Sequence, residues 1–251
     1  MYKSTLEALS TAGFNKYSVY RDSKFKYFIA SILAGFFIGL GVLVMGLSIS
    51  IFGNLEIDFV KISNGLIFSL ALSLVIMAGA ELFTGNVMAL SGASFTKAIK
   101  GSDAFNVCAL SYVGNLVGAL IISVLYLGTG AKGTAIGDAV VNLALAKGQI
   151  PLVPLIFKSI LCNILVCVAV LCCIKMKSEA GKLIMIVWCI LPFVALGFEH
   201  SVANMTVFIL GRLLSNEVTF AMILHNLITA TIGNIIGGLL VSISYYLIGR
   251  D

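Results

Sequence analysis

The chain has 251 residues, 60% hydrophobic and 11% charged, with a net charge of +5. Soluble domains carry about 25% charged residues, so these figures exclude a soluble domain and point to an integral membrane protein. The positive charge lies in short clusters beside apolar runs, which argues against a nucleic-acid partner.

Residues 1–27 are polar and carry Lys3, Lys16, Arg21, Lys24 and Lys26. No cleavable signal peptide is apparent in them. Leu6, Leu9 and Phe14 stand at roughly helical spacing, so an amphipathic helix on the cytoplasmic face is expected. Six apolar runs follow, at residues 28–55, 62–90, 104–128, 150–174, 183–210 and 218–248. About 20 apolar residues span a bilayer; several runs exceed this, so tilt or an internal break is expected. Residues 131–149 read as an outer loop between the third and fourth runs. The connections are unequally charged. Lys97 and Lys100 follow the second run, and Lys175, Lys177 and Lys182 follow the fourth; the others hold only Lys61, then Lys132 and Lys147, then Arg212. The positive-inside rule then places both termini in the cytoplasm.

An internal repeat organises these runs. Gly79-Ala80-Glu81-Leu82-Phe83-Thr84-Gly85-Asn86 in the second matches Gly197-Phe198-Glu199-His200-Ser201-Val202-Ala203-Asn204 in the fifth, with Gly, Glu and Asn in register. Ser31-Ile32-Leu33 matches Ser159-Ile160-Leu161, and Gly114-Asn115-Leu116-Val117-Gly118 matches Gly233-Asn234-Ile235-Ile236-Gly237. Three crossings per half is an odd number, so the second half starts from the opposite side of the membrane. The fold expected is all-α, with six transmembrane helices in an inverted 3+3 repeat (28–130 and 150–251). Such repeats place substrate sites near the midplane. The Gly-x-x-x-Gly pairs serve close helix packing.

Glu81 and Glu199-His200 interrupt otherwise charge-free stretches, and ionisable groups at that depth mark a pathway or a site. Gly85 after Glu81, and Pro192 and Gly197 before Glu199, predict that spans two and five are broken. Breaks at the midplane leave half-helix ends suited to an anion. His200 has Leu82 at its place in the first half, so only one half supplies this titratable group. An imidazole there can hydrogen-bond an anion or exchange a proton with it, which offsets the desolvation cost of a bare anion. Phe68, Leu72, Leu82, Phe83, Val166 and Phe193 supply apolar lining able to form constrictions. Asn163 is a polar residue in the fourth run and needs a partner. Lys147, just outside it, can attract anions to the mouth. Glu81 and Glu199, with Asn86 and Asn204, are expected to tie down the broken helices, because an ionised carboxylate repels an anion. His225 reads as a satisfied core residue.

No Ser/His/Asp set, phosphate-cradling Gly loop or metal-ligand cluster is visible, so neither an enzyme nor a cofactor or metal site is expected. The six cysteines lack zinc spacing and read as small packing residues. A proton-coupled transporter and an aquaporin-like pore for water or neutral solutes are the competing classes. The Asn-Pro-Ala motif of the latter is replaced by Asn86-Val87-Met88 and Asn204-Met205-Thr206.

The segment from Met77 to Gly85 resembles the first signature of the formate/nitrite transporter family, and that from Cys162 to Ala169 resembles the second. The chain looks most like the family's hydrosulfide channel branch. The resemblance implies an aquaporin-like fold, a homopentamer in the bilayer with one pore per protomer, and small monovalent anions (hydrosulfide, formate, nitrite) as substrates in a bacterial inner membrane. It maps Leu82, Phe83 and Thr84 to an Ω-shaped loop in span two, with Thr84 as hydroxyl donor and gate, and His200 to the break in span five. Leu72, Leu82, Phe83 and Val166 map to a cytoplasmic constriction, Phe68 and Phe193 to an outer one, and Lys147 and Asn163 to the outer approach.

Overall fold

The computed structural model describes residues 2–53 and 55–250; all regular structure among them is helical. Residues 1 and 251, the outer limits of the expected first and last segments, and residue 54 in the first expected span lie outside the described residues. In chain order the helices are α1 (Tyr2–Asp22), α2 (Lys24–Phe52), α3 (Ile57–Met77), α4 (Phe83–Phe95), α5 (Gly101–Gly128), α6 (Ala135–Gly148), α7 (Leu152–Lys175), α8 (Glu179–Ala195), α9 (Ser201–Leu214) and α10 (Phe220–Gly249). Hydroxyl caps start several of them. Ser23, Thr134, Ser178 and Thr219 each accept an N–H from three residues on, satisfying a donor that the first helical turn cannot.

Five helices, α2, α3, α5, α7 and α10, are long and apolar enough to cross a membrane. The fifth apolar run is divided between α8 and α9, of 17 and 14 residues. The second is likewise interrupted, between the end of α3 at Met77 and the start of α4 at Phe83.

Packing follows one scheme in both halves. α2 lies on α5 and α3, as α7 lies on α10 and α8; α1 lies on α4, as α6 lies on α9. α4 and α9 cross over, contacting α10 and α5 of the other half, and α3 packs on α8. The Gly-x-x-x-Gly pairs sit at the α2–α5 and α7–α10 crossings. A Cβ on Gly118 would strike the carbonyl oxygen of Ile32, and one on Gly237 that of Ile160. Only glycine lets these backbones approach so closely.

Three expectations change. Residues 131–149 are mostly helical rather than a loop: α6 is capped by Thr134, whose hydroxyl accepts the Gly137 N–H at 3.1 Å. Its apolar face, Ala139, Val140 and Ala144, is buried. The N-terminal segment is a helix, yet it seals against protein. Leu6 and Leu9 are buried and Gly13 abuts Ala89 of α4, while Phe14 points outward. Phe83 and Thr84 occupy the first turn of α4 instead of an Ω loop; the break comprises residues 78–82.

Candidate functional site

Each break needs a backbone reversal and a partner for every freed polar group, because unsatisfied groups in an apolar surround are costly. Gly79 and Gly197 provide the reversals, with φ of +73° and +66°, a region open mainly to glycine. Asn115 on α5 then serves the first break. Its Oδ1 accepts the Phe83 N–H at 2.9 Å, and its Nδ2 donates to the carbonyls of Ser31 (2.7 Å) and Glu81 (3.0 Å). Asn234 on α10 serves the second in the same way. It accepts from Ser201 N–H at 2.8 Å and donates to the carbonyls of Ser159 (2.7 Å) and Glu199 (2.9 Å). A main-chain bond completes each junction: Glu81 N–H to Ala30 O at 3.1 Å, and Glu199 N–H to Lys158 O at 3.4 Å.

The two carboxylates are each paired with a lysine from a flanking helix. Lys16 of α1 donates to Glu81 Oε2, and Lys147 of α6 donates to Glu199 Oε1, both at 2.7 Å. Further donors complete each site. The Tyr27 hydroxyl reaches Glu81 Oε2 at 3.2 Å and accepts from Asn86 Nδ2 at 2.8 Å. Asn204 and Asn226 donate to Glu199 Oε2 at 2.7 and 3.4 Å. Glu199 is the more enclosed, its side chain 3% exposed against 16% for Glu81. Both carboxylates are therefore held by side chains, whereas the break backbones are held by Asn115 and Asn234.

His200 is buried at the N-cap of α9. Its Nδ1 accepts the Ala203 N–H at 3.2 Å, and its Nε2 lies 2.9 Å from Thr84 Oγ1 of α4. A backbone N–H can only donate, so the lone pair on Nδ1 is occupied and the ring proton sits on Nε2. In this arrangement the ring offers a neutral N–H. Giving that proton away outright would leave an imidazolate, so hydrogen bonding suits the geometry better than proton transfer.

Two cavities lie on either side of a narrow, largely apolar centre. One, of about 250 Å³, is bounded by Lys16, Glu81, Leu72, Leu82, Asn86 and Val170. The other, of about 350 Å³, is bounded by Lys147, Lys158, Glu199, His200, Phe68 and Phe193. Between them is a void of only about 10 Å³, walled by Ile38, Phe68, Leu72, Leu82, Val166, Ile190, Phe193 and His200. That volume holds at most about one water. Phe68 and Phe193 meet edge to face, with centroids 5.9 Å apart.

Five of the six expected constriction residues therefore converge with His200. Phe83 does not: its ring packs on Tyr112 at 4.9 Å and lines a separate apolar recess. Thr84 lines none of these cavities and acts on His200 alone. Asn163, expected on the outer approach, is fully buried; it donates to the carbonyls of Thr84 and Asn234, tying α7 to α4 and α10. His225 meets Ile150 O at 2.9 Å. Sequence reading missed Lys16 as Glu81's partner, the bridging roles of Asn115 and Asn234, and Ile38, Ile190 and Lys158 as lining. Asn115 and Asn234 had a signal, since they recur inside the matched Gly-Asn-x-x-Gly segments. The others had none, because their partners are distant in the chain. Among the described residues no group of His, Cys, Asp and Glu is arranged to hold a metal ion, and the cysteines are free.

A profile of the formate/nitrite transporter family matches residues 3–248. The chain belongs to this family, and its apolar helices are those of an integral membrane protein. It is similar to the nitrite transporter NirC of Escherichia coli, 38% identical over 216 residues, covering 84% of this chain and 79% of that one. Two solved structures share the fold. An FNT family ion channel superposes with a TM-score of 0.89 at 32% identity, covering 98% of both chains. A pentameric formate channel with formate bound gives 0.82 at 26%, covering 92% of this chain and 99% of that one.

Proposed function

We propose that the protein is a passive channel for small monovalent weak-acid anions. The observation that carries this reading is the narrow apolar centre at His200, set between two vestibules that each hold a lysine–glutamate pair. An anion sheds water in a vestibule, passes Phe68 and Phe193 on one side or Leu72, Leu82 and Val166 on the other, and takes a hydrogen bond from His200 Nε2–H in exchange for Thr84. The neutral donor offsets part of the desolvation cost without trapping the anion as a fixed charge would. Strongly hydrated or bulky ions are excluded by the apolar walls.

Hydrosulfide is the substrate we assign first, since a single polarisable sulfur suits walls of phenylalanine and aliphatic side chains. Formate and nitrite are supported equally by kinship, through relatives named as a nitrite transporter and a formate channel. The matched breaks and packing of α1–α5 and α6–α10 support an inverted 3+3 repeat with six crossings, the second and fifth broken. Both termini then lie in the cytoplasm of a bacterial inner membrane, with the Lys16 vestibule inside and the Lys147 vestibule outside. Likeness to a pentameric channel supports a homopentamer.

The test is flux in proteoliposomes for hydrosulfide, formate, nitrite and chloride at several pH values. Fast flux of one or more weak-acid anions with little chloride is expected. Water or neutral-solute flux without anion flux would replace this reading by an aquaporin-like pore. Uphill anion movement driven by a proton gradient would replace the channel by a coupled transporter.

A further inference from the structure

The two vestibules differ in one charge. Among the described residues, Lys16 and Glu81 are the only charged ones lining the first, whereas Lys147, Lys158 and Glu199 all line the second. The 2.7 Å pair between Lys147 and Glu199 neutralises itself, and the remaining oxygen of Glu199 is taken by Asn204 and Asn226. Lys158 has no ion-pair partner among the described residues. Its ammonium sits beside the second break: a Cβ on Gly197 would lie 3.9 Å from Nζ. Its own carbonyl receives the Glu199 N–H, so the backbone fixes this side chain to the segment that presents His200. The residue in the same place at the first break is Ala30, whose carbonyl receives the Glu81 N–H. The excess cation therefore belongs to one face alone.

We propose that Lys158 is the anion-capture residue of the second vestibule, binding a small monovalent anion such as formate before it enters the constriction. This inference rests on the channel reading above. Lys147 is held by Glu199 and contributes little net field. Lys158 adds one unscreened positive charge within a low-dielectric mouth, which raises local anion concentration and sets charge selection at entry. With the first vestibule neutral, entry is favoured from the second.

The test measures initial formate flux against formate concentration for wild type, Lys158→Gln and Lys158→Arg in proteoliposomes. Ionic strength is set with an impermeant salt at about 0.01 M and about 1 M, where the screening length falls from about 30 Å to about 3 Å. Lys158→Gln is expected to raise the half-saturating formate concentration about three- to tenfold at low ionic strength, with maximal flux retained. The difference disappears at high ionic strength, and Lys158→Arg behaves as wild type. Equal half-saturation for wild type and Lys158→Gln at low salt overturns the proposal, as does an equal loss at both salts. If Lys158→Gln fails to assemble, wild type decides: half-saturation independent of ionic strength overturns the proposal. Wild type that passes none of formate, nitrite or hydrosulfide overturns the channel reading itself. Wild-type flux that Lys158→Gln leaves unaltered overturns the capture role alone.

Discussion

Thr84 Oγ1 and His200 Nε2 meet at 2.9 Å across 116 residues of sequence, joining the first turn of α4 to the N-cap of α9. The contact links the two broken segments at the centre, and it sets what His200 can do. With Nδ1 occupied by the Ala203 N–H, the ring is oriented and keeps its proton on the side facing Thr84.

A neutral donor predicts a specific pH response. His200→Asn should lower anion flux by about tenfold, the worth of one hydrogen bond of about 1.4 kcal/mol. The shape of the pH profile should persist, because it follows ionisation of the anion. A changed shape in proteoliposome flux would show that His200 itself titrates during transport. Thr84→Val should reduce flux by freeing the ring, and Thr84→Ser should restore most of it.

Asn115 and Asn234 each satisfy one buried N–H and two carbonyls. Replacing either by Ala orphans three groups, at a cost of roughly 1–3 kcal/mol for each that water cannot reach. Thermal unfolding in detergent should show a fall in midpoint on the order of 5–15 °C for either variant. Unchanged midpoints would mean that water replaces the side chain.

The lysine pairs should differ in weight. Lys147→Met leaves Glu199 as a buried carboxylate without its cation, whereas Lys16→Met leaves the more exposed Glu81. Removal of one partner from a buried pair costs more than removal from a solvated one. Lys147→Met should therefore destabilise more in a thermal-shift comparison. Equal destabilisation of the two variants would show that burial does not separate the pairs.

Helix crossings supply a packing test. Gly118→Val and Gly237→Val push side chains into the carbonyls of Ile32 and Ile160 and should abolish recovery of folded protein by size exclusion. Gly128→Ala, where a Cβ meets nothing within 4 Å, should be recovered as wild type. Normal yields of the valine variants would contradict the close crossings.

The helical, membrane-spanning character was legible in residue order because it depends on local hydrophobicity alone. The recurring Gly-x-Glu and Gly-Asn-x-x-Gly segments also located both breaks within a few residues, since a reversal at positive φ needs glycine wherever it occurs. Residues 131–149 were harder. Their moderate apolar content reads as a loop until Val140 and Ala144 have α9 and α2 to pack against. Phe83 followed Leu82 in sequence and was grouped with it, although Leu82 ends the break in extended backbone and Phe83 opens α4; one faces the centre and the other Tyr112.

What the sequence determined by itself is the set of apolar runs, the paired breaks and the presence of ionisable groups inside them. These follow from composition and spacing along one chain. Tertiary structure alone decided that Lys16 and Lys147 neutralise Glu81 and Glu199, that Asn163 donates to the carbonyls of Thr84 and Asn234, and that Lys158 stands in one vestibule without an ion-pair partner among the described residues. Electrostatic and hydrogen-bond partners act over a few ångströms, and here they come from helices 52 to 79 residues apart.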